Sequence, residues 1–146
     1  MKKRFFALLT LLAVTFSIFG FSSGVLAYDS EGSVYVTRGG NSKTVNSDYK
    51  GNAGSWEAAV TDAYVQGLPA HIYGNNYIVM RMYTADGTNQ ASSTLTISPN
   101  YYNVYRSQTY WTEKGYGGIG QTYCLKASMS SSSTSSYGTF QIRFCA

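Results

Sequence analysis

The sequence is short of most of what chemistry usually requires. It has one histidine, two cysteines and two prolines in 146 residues, and only 12% of its positions are charged. A lone histidine, His71, leaves no His-x-x-x-His pair, and the cysteines have no Cys-x-x-Cys spacing, so no zinc site of recognisable kind is present. The acids Asp29, Glu31, Asp48, Glu57, Asp62, Asp86 and Glu113 are scattered singly. Acid–base catalysis by a carboxylate pair would need Glu57 and Glu113 to meet in space. The serines come without a Gly-x-Ser-x-Gly elbow, and His71, near Pro69 and Gly74, is the sole base for them or for a catalytic thiol. Asp86-Gly87-Thr88-Asn89 lacks the spaced carboxylates of a tight calcium site and reads as a turn. These absences predict a protein that is not an enzyme and needs no metal or cofactor.

Excess charge is also missing once the N-terminus is set apart. Lys2-Lys3-Arg4, an apolar run from Phe5 to Phe21 and small residues ending Val25-Leu26-Ala27 form the pattern of a cleaved secretory signal peptide over residues 1–27. The rival reading, an uncleaved anchor, has an apolar stretch at the short limit for a membrane span. From Tyr28 onward, 8 Lys+Arg stand against 7 Asp+Glu. A near-neutral chain does not neutralise nucleic-acid phosphates or bind membranes as a polybasic surface. Residues 28–146 are expected to be one secreted domain, with no stable membrane insertion after cleavage. With no cysteine beside the cleavage site, lipid attachment is not expected, nor is a sorting tail expected to follow Cys145-Ala146.

Aliphatic residues are scarce as well. Leu, Ile, Val and Phe make up 17 of the 119 positions from Tyr28 to Ala146, a fraction that raises the question of disorder. Disorder also needs high net charge, which is absent. All 14 tyrosines lie in this part, with Trp56 and Trp111, and supply half-apolar bulk for a core. Tyr, Thr and Val favour strands, while Gly, Ser and Asn favour turns. The expected fold is all-β, an antiparallel sandwich of about seven short strands.

Several strands can be placed. Val34 to Thr37 is one, stopped by Gly39-Gly40, and residues 41–54 hold at most a short strand around Val45. Ser55 to Tyr64 fits a helix capped by Ser55 or a strand with Trp56, Ala58, Val60 and Tyr64 on one face; the β-rich context favours the strand. Tyr77 to Thr84 is the clearest strand, with Ile78, Met80 and Met82 pointing one way. Asp86-Gly87 then predicts a hairpin in which Met82 faces Ala91 and Ile78 faces Leu95. Gly115 to Gly120 reads as a flexible loop without phosphate-loop spacing.

The C-terminal residues carry the most specific expectation. Pairing Tyr123–Met129 with Thr139–Cys145 around a flexible Ser130–Ser136 loop sets Leu125, Ala127 and Met129 against Phe144, Ile142 and Phe140. The same register places Cys124 opposite Cys145, and two cysteines in an exported chain predict a disulfide. Such a bond would pin the last strand and contribute about 3 kcal/mol.

With catalysis disfavoured, surface recognition remains. Tyr101, Tyr102, Tyr105, Tyr110 and Trp111 concentrate rings with polar tips, suited to stacking on sugars or anchoring a protein partner. If the segment is extended, Tyr101, Asn103 and Tyr105 share one face and Tyr102, Val104 and Arg106 the other. The basic-start signal peptide, Trp56 in a short strand, Tyr77 to Tyr83 around Arg81, and Tyr123-Cys124-Leu125-Lys126-Ala127-Ser128 before a terminal strand together resemble small secreted Tyr-rich β-proteins of Gram-positive bacteria. These are largely uncharacterised, and some resemble products of bacteriocin or peptide-export loci; no functional residue carries over. The expected function is therefore recognition of cell-wall glycan or a surface protein through exposed tyrosines. The alternative is a bacteriocin-like toxin or accessory factor in interbacterial antagonism.

Overall fold

The structure, a computed structural model, describes residues 29–51, 54–69 and 74–146. The expected signal peptide and His71 lie outside the described residues. Among the described residues nine strands follow in chain order: β1 (Ser30–Thr37), β2 (Lys43–Tyr49), β3 (Trp56–Val65), β4 (Leu68–Pro69), β5 (Ile78–Thr84), β6 (Leu95–Ile97), β7 (Arg106–Gln108), β8 (Thr122–Met129) and β9 (Tyr137–Cys145). Two one-turn 3-10 segments, Pro99–Tyr101 and Thr112–Lys114, lie between β6 and β8. One sheet has the order β1-β9-β3-β4, with β7 also on β3; the other is β2-β8-β5-β6. All strand pairs are antiparallel. The expected sandwich is present, with more strands than the seven anticipated.

Alternation builds its core. Ile78, Met80 and Met82 of β5 are buried, as are Leu125, Ala127 and Met129 of β8. From the opposite sheet come Val34 and Val36, Phe140, Ile142 and Phe144, and Trp56, Ala58, Val60, Ala63 and Val65. Tyr110 and Tyr123 join them, rings 4.6 Å apart, so tyrosine does supply part of the missing aliphatic bulk.

The C-terminal hairpin and its disulfide are corrected. β8 and β9 belong to different sheets: Cys124 lies opposite Ser47 and Tyr83, whereas Cys145 lies opposite Glu57. Both cysteines are free thiols. The inward residues of each strand were identified correctly, but they meet across the core. An alternating apolar face is satisfied equally by lateral pairing and by packing against a facing sheet, and periodicity does not separate the two. The Ser130–Ser136 stretch carries the chain between sheets and is firmly tied. Ser130 N–H donates to Tyr77 O, Thr134 N–H to Asn75 O, and Tyr77 N–H to Ser133 Oγ, with Ser133 and Ser135 buried.

Three smaller departures have local causes. Residues 56–65 form the favoured strand, but a bulge between Val60 and Asp62 shifts the register, so Ala63 and Val65 point inward and Tyr64 outward. In the β5 hairpin Ala91 N–H does reach Met82 O, yet Ile78 opposes Ile97 and Met80 opposes Leu95. Ser92 causes the slip: its Oγ accepts the Met82 N–H at 2.9 Å in place of a backbone carbonyl. Tyr101 to Tyr105 is not extended, because Tyr101 ends a 3-10 turn and Asn103 is left-handed at φ 63°.

Candidate functional site

The outer face of the β1-β9-β3 sheet follows from the same alternation that fills the core. With Val34 and Val36 inward, β1 turns Ser33, Tyr35 and Thr37 outward; with Phe140 and Ile142 inward, β9 turns Tyr137, Thr139, Gln141 and Arg143 outward. The bulge in β3 adds Tyr64 and Asp62 to this side. Register then aligns Tyr35, Thr139 and Tyr64 in one row across three strands, and Ser33, Gln141 and Asp62 in the next. Tyr35, Tyr64 and Tyr137 are 57%, 48% and 41% exposed. The rings of Tyr35 and Tyr137 lie 5.8 Å apart at an interplanar angle of 37°, forming a shallow aromatic platform.

Charge on this face is largely compensated. Arg143 pairs with Glu31 at 3.4 Å, and this pairing raises the guanidinium pKa further. Tyr105 donates its hydroxyl to Asp29 at 2.8 Å; burial first, then the Asp29 carboxylate, pushes its phenol up to about 12. Asp62 Oδ1 accepts the Ala63 N–H at 2.8 Å, and its residue remains exposed. Beside it, a cleft of about 200 Å³ is lined by Thr61, Asp62, Ala63, Pro99, Tyr102 and Asn103.

The five aromatic residues expected to form a binding surface are dispersed. Tyr101 is exposed, with the Arg106 guanidinium 4.6 Å from its ring. Tyr102 packs against the core and donates its hydroxyl to Asn76 O at 2.9 Å, and burial raises its pKa strongly. Tyr105 joins the outer face through its contacts with Asp29 and Arg143. Tyr110 is a core residue. Trp111 is half-buried, donating Nε1–H to Ser93 Oγ at 3.2 Å beneath the Lys114 ammonium, 4.0 Å from its ring. Tyr35, Tyr64 and Tyr137 were not singled out; the alternation of β1 and β9 points two of them outward, whereas the bulge conceals the third.

The remaining chemical candidates sit on separate elements. Glu57 is on β3 and Glu113 in the second 3-10 turn. A larger cleft, about 330 Å³, is lined by Thr84, Ala85, Gly115, Tyr116, Gln121, Thr122 and Tyr123 and includes neither. Asp86 accepts hydrogen bonds from the Thr84 hydroxyl and from the N–H and hydroxyl of Thr88, which bring its carboxyl down to about 2. It is a turn residue. The Cys145 thiol is pushed up by burial and by Asp48, Asp29 and Glu57, the opposite of an activated nucleophile. Among the described residues no group of three or more His, Cys, Asp or Glu is placed to hold a metal ion, and no helix is long and apolar enough to cross a membrane.

No family model matches the chain, and neither a curated protein nor a solved structure is found similar to it.

Proposed function

We propose that the protein is a secreted, non-enzymatic recognition module that binds cell-surface glycan on the outer face of the β1-β9-β3 sheet. The observation that carries this reading is the row Tyr35–Thr139–Tyr64, flanked by Tyr137 and backed by Ser33, Gln141 and Asp62. A pyranose presents weakly positive C–H groups to the negative face of an aromatic ring, while its hydroxyls need hydrogen-bond partners at the ring edges. Tyrosines interleaved with hydroxyl and amide side chains meet both needs. A protein partner of standard size would instead bury its anchors in well-packed, desolvated pockets, whereas these three rings lie on an open face, 41–57% exposed. Secretion through the 1–27 signal peptide is part of the proposal and brings the domain to such a surface.

A pull-down on isolated bacterial cell walls tests the reading, comparing the wild-type chain with a Tyr35→Ala/Tyr64→Ala/Tyr137→Ala variant of unchanged circular dichroism. Retention of the wild type and loss of the variant are expected. Equal retention of both removes the face from the binding site.

A further inference from the structure

The spacing within the tyrosine row specifies the shape of the ligand, given the glycan-binding reading above on which this inference rests. Tyr35 and Tyr64 are both direct partners of Thr139 from opposite sides. Their Cα atoms are therefore two interstrand steps apart, about 9–10 Å. Two stacking platforms at that separation, with a small Thr139 between them, suit alternate sugars of a chain running across the strands. A straight, ribbon-like chain keeps alternate rings at one height and presents their faces to one plane. A coiled chain touches one platform and curves away from the other.

The neighbouring row indicates what substituent the sugars carry. Gln141 stands one residue pair along from Thr139, between Ser33 and Asp62. The amide of Gln141 offers both a donor and an acceptor, and Asp62 offers a carboxylate acceptor. An acetamido group has the matching carbonyl and N–H. Charge complementarity points the same way: Arg143 is neutralised by Glu31, which leaves the Asp62 carboxylate as the free charge in these two rows. An acidic polymer is repelled there, whereas a neutral chain with N–H and O–H donors is not. The 200 Å³ cleft beside Asp62 continues the second row past the β3 edge and gives such a group room to enter.

We infer that the ligand is an extended, uncharged, β-1,4-linked chain of 2-acetamido sugars, stacked on Tyr35 and Tyr64 and hydrogen-bonded by Gln141 and Asp62. Calorimetric titration of the full chain with chito-oligosaccharides of two to six units tests this, with maltohexaose and cellohexaose as comparisons. The hexamer is expected to bind about tenfold or more tighter than the dimer, which reaches only one platform. Maltohexaose, which coils, and cellohexaose, which has no acetamido groups, are both expected to be weaker than chitohexaose. Tyr35→Ala and Tyr64→Ala should each abolish the gain with length, while Tyr49→Ala, on the other sheet, leaves it unchanged. Absence of a length step, or equal binding of either comparison hexasaccharide, overturns the inference; the glycan-binding face itself survives that result if Tyr35→Ala still weakens binding. If no sugar binds, or if neither tyrosine matters, both readings fall.

Discussion

At the scale of single residues, Lys50 is the feature least compatible with a passive core. Its side chain is fully buried, and among the described residues its Nζ has no hydrogen-bond partner. What it has is the face of Tyr110, 4.6 Å away, whose own hydroxyl is also unpartnered. Desolvation lowers the Lys50 pKa, with Cys145 opposing in part. A cation–π contact returns only a fraction of what burying an ammonium costs. Lys50→Met keeps the volume and removes the charge, and it is expected to stabilise by about 1–3 kcal/mol at neutral pH. Between the folded pKa and the unfolded 10.5 the unfolded state holds more protons, so the wild type gains stability as pH rises through that window. Urea unfolding of both forms from pH 7 to 10.5 should show the gap between them narrowing upward. A constant gap would mean that Lys50 is not the titrating group. Composition gives no hint of this lysine, because a single cation in a polar stretch reads as solvated; its burial is a property of the folded edge around Gln121 and Gly120, which exchange backbone hydrogen bonds with it.

At the scale of elements, the bulge in β3 decides which residues face solvent. Thr61 is the extra residue between the pairs Val60–Ile142 and Asp62–Gln141. In a regular ladder that paired Thr61 as well, Asp62 and Tyr64 would turn into the core while Ala63 and Val65 turned out. Deleting Thr61 removes the extra residue and leaves Asp62 and Tyr64 outward and Ala63 and Val65 inward, so it is expected to cost no more than about 2 kcal/mol. A cooperative thermal transition of the deletion variant would register it, and loss of soluble protein or of that transition would show that the bulge itself is needed for the fold. The same bulge marks the limit of reading this fold from sequence. Inward residues of β5, β8 and β9 are legible because two-residue periodicity is dictated by the pleat. Strand partners are not, since Leu125, Ala127 and Met129 suit any apolar neighbour, lateral or facing. The polar β2, Lys-Thr-Val-Asn-Ser-Asp-Tyr, is nearly illegible because its ladder with β8 holds it there, with little help from an apolar face. The candidate site inherits this division: Tyr35 and Tyr137 follow from alternation, but Tyr64 becomes their neighbour only through the bulge and the long-range pairing to β9.

At the scale of the whole molecule, the two sheets are joined where β1 and β2 run side by side, and Gly32 lies directly against Val45. A Cβ at Gly32 would fall 2.6 Å from the Val45 carbonyl oxygen and 2.8 Å from its Cγ1. Facing sheets ordinarily sit about 10 Å apart, so here the layers have converged into a seam. Side chains stitch it on the N-terminal side of the glycine: Asn46 Nδ2 donates to Glu31 O at 3.0 Å, and Ser30 Oγ donates to Ser47 O at 3.3 Å. The opposite edge is closed differently, by Gln108 Nε2 donating to Thr94 O and Ser93 N–H to Thr109 O. With both edges fastened, β9 is held above β8, which is why the apolar faces once expected to pair laterally meet through the core. Because the atom nearest Gly32 is backbone, the added methyl of Gly32→Ala cannot be absorbed by a side-chain rotation. Overpacking of this kind should cost about 1–3 kcal/mol. Asn46→Ala, which removes one stitch, should cost about 1 kcal/mol. If the seam acts as one unit, the two losses are coupled: once Gly32→Ala has pushed the strands apart, the Asn46 bond is already broken. The double variant should then be less destabilised than the sum by about 0.5 kcal/mol or more in urea unfolding. Simple additivity would show that β1 and β2 are held independently, each by its own sheet.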